Sequence, residues 1–220
     1  MTAGIVPANK TSSRLEKFFE KIDPVRGRLV FALDATASRQ PSWDLSASLT
    51  GEMFNAVAAI GGLDVQLIYY RGLSEIFASR WFSDARSLAT IMSTIQCRSG
   101  HTKIGSVLRH IRRENAHEKV NAAIIISDAC EEIPADLYVE ARELTVPTFL
   151  FQEGTDERVA AIYAEIAKIT GGAHCRFDAG AASRLAQLLQ AVALYATGGV
   201  KALAAQKSEA AQLLLAQVRK

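Results

Sequence analysis

The sequence predicts an α/β chain: a doubly wound, Rossmann-like, mainly parallel six-stranded sheet with one antiparallel edge strand and helices on both faces. Three observations lead there. From Arg28 onward, short apolar runs alternate with segments of helical period. Several of the short runs, Val120 to Ser127 above all, are apolar at consecutive positions, as strands covered on both faces must be. Only one pair of neighbouring runs is joined by a link too short for a crossover helix.

The elements follow in order. Residues 1–27 read as a polar arm in which Ser13 and Glu16 make a capping box. Leu15, Phe18, Phe19 and Ile22 then share one face of a short amphipathic helix. Leu29 to Leu33 is the first strand and ends in Asp34. Leu45, Leu49, Met53, Val57 and Ile60 form a helical stripe closed by Gly61-Gly62. Leu63 to Tyr70 and Glu75 to Phe82 are two strands joined by Arg71-Gly72-Leu73-Ser74, a hairpin that places one strand antiparallel at an edge.

Leu88, Ile91, Met92 and Ile95 mark one helix and Ile104, Val107, Leu108 and Ile111 another, divided by the loop Cys97 to Thr102. Val120 to Ser127 is the fourth strand, Pro134 opens a helix, and Val146 to Phe151 is the fifth strand. A helix through Val159, Ile162, Tyr163 and Ile166 ends at Gly171-Gly172. Ala173 to Phe177 is the sixth strand, followed by a helix through Leu185, Leu188, Leu189 and Val192. Residues 28–197 therefore form the main domain, and residues 198–220, after Gly198-Gly199, a separate helical extension.

Composition narrows the function. With 220 residues, 49% hydrophobic and 22% charged, the chain can bury a full core. Its 25 basic against 23 acidic side chains give no general attraction to nucleic acid or an anionic membrane. Cys97, Cys130 and Cys175 are odd in number and far apart, so neither a disulfide framework nor a zinc cluster is expected and a reducing, cytoplasmic setting is. His101, His110, His117 and His174 show no ligand spacing, Trp43 and Trp81 suit packing, and no phosphate-binding glycine motif occurs.

Three segments reach the carboxyl rim of the sheet, where ligands of doubly wound folds bind. Asp34-Ala-Thr36-Ala-Ser38 leaves the first strand, Ser99-Gly100-His101-Thr102 enters a helix, and Ser127-Asp128 leaves the fourth strand. Asp34, Thr36 and Ser38 alternate, so in an extended loop they point the same way. Oxygen donors of this kind suit a hard cation such as Mg²⁺. Taken singly, Asp34 and Asp128 also suit loop entries, and Thr102 suits the N-cap of the helix beginning near Ile104.

These residues resemble those of the von Willebrand factor type A (VWA) domains, whose metal-ion-dependent adhesion site (MIDAS) joins a D-x-[ST]-x-S loop, a distant Thr and a distant Asp after a buried strand. The resemblance covers residues 28–197 and carries that ligand set onto Asp34, Thr36, Ser38, Thr102 and Asp128. This chain has Thr36-Ala37-Ser38 where Ser-Gly-Ser is familiar, and Ala129 where Gly often follows the Asp. The resemblance implies bound Mg²⁺ or Mn²⁺ and a non-enzymatic interaction module. Its metal would take an Asp or Glu of a protein partner, with AAA-type ATPases and chaperones among the associates of such adaptors.

Two alternatives stay open. The Asp34 loop also resembles the nucleophile loop of haloacid dehalogenase-like, Mg²⁺-dependent phosphohydrolases, in which Asp34 would attack phosphorus. Those enzymes need a cation after the second motif and a later acidic pair, and no lysine occurs between Val120 and Ala167. The other alternative is a metal-free VWA scaffold. Finally, Arg98 to Lys119 holds six Lys/Arg against two Glu, and Asp128 to Glu143 six acids against one Arg. These blocks form either solvated helix faces or flanks that orient a polar partner at the rim.

Overall fold

A computed structural model describes residues 26–37, 40–57, 62–177 and 182–218. The expected amphipathic helix of the arm and the loop position Ser38 lie outside the described residues. Six strands, β1 (Gly27–Asp34), β2 (Leu63–Arg71), β3 (Glu75–Phe82), β4 (Ala122–Ser127), β5 (Thr148–Glu153) and β6 (Ala173–Phe177), alternate with seven helices among these residues. The helices are α1 (Gln40–Val57), α2 (Ala85–Ser93), α3 (Ile104–His117), α4 (Pro134–Arg142), α5 (Glu157–Thr170), α6 (Ala182–Ala205) and α7 (Glu209–Val218).

The strands lie in the order β3-β2-β1-β4-β5-β6, all parallel except β3, which runs antiparallel to β2. The predicted fold class is the observed one. Successive β1 side chains point to opposite faces. Leu29, Phe31 and Leu33 pack with α1, α2, α6 and α7, while Val30 and Ala32 pack with α3, α4 and α5. The chain leaves β1 toward β2 on one side and continues from β4 on the other, so the order reverses between β1 and β4. The two strands stay paired, but the connections leaving them diverge to opposite faces of the sheet and leave a crevice at their carboxyl ends.

Several boundaries move, for physical reasons. The fourth strand begins at Ala122 rather than Val120, because the Val120 N–H is taken by the Asn115 side chain at 2.9 Å. The fifth begins after Pro147, which has no N–H to give to a ladder, and runs to Glu153. The first described helix starts at Gln40, ahead of its apolar stripe.

The largest difference is at the C-terminus. α6 is broken at Gly199 (φ 63°, ψ −158°, outside the helical region), so the glycine pair ends one helical run, as expected, and a second run continues across the kink to Ala205. Leu203, Ala210, Ala211 and Leu214 are buried in the same core as Phe31 and Leu67, so residues 198–218 pack on their own domain. Among the described residues, α6 alone is long and apolar enough to cross a membrane, and its apolar face lies in this core.

Candidate metal centre

Asp34 is the last residue of β1 and Ser127 the last of β4, so the reversal point sets a carboxylate beside a hydroxyl. Asp34 is 2% exposed; its Oδ1 accepts from the Thr36 N–H and its Oδ2 from Ser127 Oγ, both at 2.8 Å. Burial pushes the Asp34 carboxyl above its ordinary range and the nearby Asp128 charge adds to this. The hydrogen bonds from Thr36 and Ser127 pull the other way without cancelling it. Among the described residues no Lys, Arg or His forms an ion pair with Asp34. A buried carboxylate with a second acid nearby and no cation is an electrostatic deficit that a bound cation would relieve.

Beneath it lie two further hydroxyls. Tyr70, near the end of β2, is fully buried and its Oη has no hydrogen-bond partner among the described residues, and Tyr163 donates its Oη to the Ala129 carbonyl at 2.8 Å. Backbone bonds fix the loop above: the Ala35 N–H donates to Tyr70 O and the Arg98 N–H to Ala35 O, each at 2.9 Å. The second bond ties the Asp34 loop to the segment carrying Thr102.

That segment is seated by a glycine contact. Gly100 lies so close to the β2–β3 turn that an added Cβ would stand 2.3 Å from the Gly72 N, and the His101 N–H donates to Gly72 O at 3.2 Å. Thr102 follows, 3% exposed. It does not cap α3. Lys103 holds the cap position without a side-chain bond, and Glu132 serves instead, its carboxylate accepting from the N–H groups of Ile104 and Gly105. Thr102 is engaged by Glu131, whose Oε2 accepts from both its N–H and its Oγ1 at 2.8 Å, while the Glu131 N–H donates to Thr102 Oγ1 at 3.1 Å.

The outcome is a cleft of about 250 Å³ lined by Asp34, Thr36, Thr102, Asp128, Ser99 and Glu131, among others. Four of the five candidate ligands therefore meet at one cleft, and the fifth, Ser38, lies outside the described residues. Ala37 and Ala129 cost the loops no strain, since no described non-glycine residue has positive φ. The donors are all oxygen, which fits a hard cation. Among the described residues no three His, Cys, Asp or Glu side chains come together as a metal-holding group, so any ion would depend on hydroxyl ligands as well as carboxylates.

Glu131 and Glu132 were expected only as members of an acidic block, either a solvated face or a flank of the rim, and not as individual site residues; their signal was a pair of acids within four residues of a rim Asp. The two charged blocks in fact meet each other. Arg109 and Arg112 of α3 pair with Glu140 of α4 at 2.9 and 3.5 Å, and Arg112 also pairs with Glu143. Trp43 is a packing residue, 1% exposed and donating its Nε1 to Met92 O at 3.0 Å.

No protein-family profile matches the chain, and no curated protein matches it. Solved structures do, at low identity. A von Willebrand factor type A protein from Catenulispora acidiphila superimposes with TM-score 0.60 at 17% identity, over 79% of this chain and 43% of that one. The SpRpn10 VWA domain gives 0.58 at 12%, over 74% and 95%. Proximal thread matrix protein 1 from the mussel byssus, in a form with a zinc-occupied MIDAS motif, gives 0.56 at 16%, over 79% and 48%. The chain thus spans under half of the Catenulispora and mussel chains. The fold is that of VWA domains.

Proposed function

We propose that this chain is a protein-interaction module that holds Mg²⁺ or Mn²⁺ in the cleft between β1 and β4 and uses it to grip an Asp or Glu of a protein partner. The observation that carries the proposal is Asp34: a buried carboxylate without a cationic partner among the described residues, set beside Thr36, Thr102 and Asp128. A divalent cation supplies the missing charge and an acceptor for one incoming carboxylate. Asp34 and Asp128 neutralise the ion, and Thr36, Thr102 and Ser38 offer neutral oxygens.

Thr102 keeps one lone pair for this purpose. Its proton goes to Glu131 and one lone pair receives the Glu131 N–H, which leaves the other for the cleft. The zinc-occupied motif of the mussel protein supports the reading as a precedent on this fold. The phosphohydrolase alternative lacks such support: Asp34 is 2% exposed with both oxygens hydrogen-bonded, a poor state for an attacking group.

Isothermal titration of Mn²⁺ and Mg²⁺ into the wild type, Asp34→Ala and Thr102→Ala tests the site. One saturable site in the wild type, lost in Asp34→Ala and weakened in Thr102→Ala, is expected. Equal heats from all three proteins would sink the proposal and favour the metal-free scaffold.

A further inference from the structure

The two outer edges of the sheet are finished differently. At β6, the Gln217 side chain of α7 donates its Nε2 to His174 O at 3.0 Å and accepts from His174 N at 2.9 Å. A side-chain amide there takes the place of a neighbouring peptide group. At β3 the side-chain bonds to strand backbone fall at Ser79 and Arg80, from Gln66 Nε2 and Ser79 Oγ, and among the described residues none reaches the backbone of Ile76, Phe77 or Ala78 from outside the β2 ladder.

The exposed edge is also undefended where it is most regular. Ile76, Phe77 and Ala78 pair in even register with Tyr70, Tyr69 and Ile68, and the one irregularity lies beyond them, between Gln66 and Ile68. These three residues carry neither charge nor proline, the usual protections of a free edge, and Ile76 and Phe77 are 37% and 41% exposed.

Beside this edge is a groove of about 470 Å³ between β3 and α3. Ile76 and Ala78 contribute its apolar side, and Ser106, Arg109, His110 and Arg113 its polar, cationic wall. Arg113 is exposed, and among the described residues it forms no ion pair.

We propose that the free edge of β3 accepts an extended segment of a protein partner, added as a further strand, with acidic side chains at the alternate positions that face α3. Backbone groups of Ile76 to Ala78 supply the ladder, and side chains two residues apart enter the groove toward Arg109 and Arg113. A second copy of this chain suits the edge poorly. Pairing β3 with β3 about a two-fold axis sets two α3 helices side by side and brings Arg113 toward Arg113. The edge is separate from the Asp34 cleft, so this binding does not depend on metal.

The test titrates full-length ¹⁵N-labelled protein, in chelator, with a ten-residue peptide alternating Glu and Val, and with a Lys/Val peptide as control. The Glu/Val peptide is expected to shift amide resonances of residues 75–80 and 106–113. Its Kd is expected to rise about fivefold or more in Arg113→Glu and Ile76→Lys and to stay unchanged in Asp34→Ala. Shifts confined to other elements, or equal binding of the Lys/Val peptide, overturn the proposal. So does a concentration-dependent dimer that binds neither peptide, which would assign the edge to a second copy.

Discussion

Thr102 and Glu131 hold each other through three hydrogen bonds, two from Thr102 to the Glu131 carboxylate and one from the Glu131 backbone to the Thr102 hydroxyl. Two loops 29 residues apart in sequence thereby become one wall of the cleft. The grip also sets the acid itself: burial raises the Glu131 carboxyl, but the bonds from Thr102 and the nearby His101 outweigh it and hold it below its ordinary range. Glu131→Ala should weaken Mn²⁺ binding about tenfold by freeing Thr102 to rotate, at a stability cost of about 1 kcal/mol. Titration calorimetry and urea unfolding separate the two effects.

Replacing Gly100 by Ala should destabilise the chain by about 1–3 kcal/mol, because the new methyl group meets backbone rather than a side chain that can turn aside. Gly51→Ala, where the added carbon meets nothing within 4 Å, is the control and should not lower stability. Urea midpoints of the two variants decide the matter.

Asp34→Asn should separate stability from ligation. In chelator the variant should be as stable as the wild type or about 1 kcal/mol more stable, since it removes a buried, uncompensated charge. With Mg²⁺ at a hundredfold excess over its Kd, the wild type should gain about 2.7 kcal/mol and the variant nothing. Thermal melts with and without Mg²⁺ read both quantities.

Acid should weaken the fold through His174. Burial, helped by the Arg176 charge, pushes its imidazole down to about 4, and its Nε2 pairs with Gln152 Oε1 at 3.1 Å. The folded chain therefore keeps His174 neutral while the unfolded chain takes up a proton near pH ~6.5. Stability contributed by the neutral ring is whole above that value and is lost progressively as pH falls toward 4. His174→Gln should flatten this part of the melting-temperature profile between pH 7 and 4.5.

Leu214→Ala should cost about 2–4 kcal/mol, as expected for a fully buried leucine, although only six residues follow it in the sequence. A loss below about 0.5 kcal/mol in urea unfolding would show that α7 is not part of the cooperative core.

The strands were legible because burial on both faces forces consecutive apolar residues, and the β2–β3 link could only be a hairpin. That Asp34, Thr36, Thr102 and Asp128 line one cleft was legible because the loops at the carboxyl rim of a doubly wound sheet converge there. Glu131 was not, since its role depends on a loop-to-loop contact that no local period encodes, and as an acid in an acidic stretch it looked solvated. The α3–α4 ion pairs were hidden likewise: each block shows its own charge, and only packing shows that the two face each other. The break at Gly198-Gly199 was legible because only glycine takes up the backbone angles found at Gly199 without strain. That the segment after it folds back into the core was not, since only the burial of Leu203 and Leu214 shows it.

The amide of Gln217 has a consequence for self-association. A sheet open at both ends can be lengthened without limit, one chain templating the next into a fibre. Here the Gln217 side chain holds both backbone groups of His174 on the far margin, so the two margins of the sheet are unlike. A stack of copies joined margin to margin would first have to displace that amide.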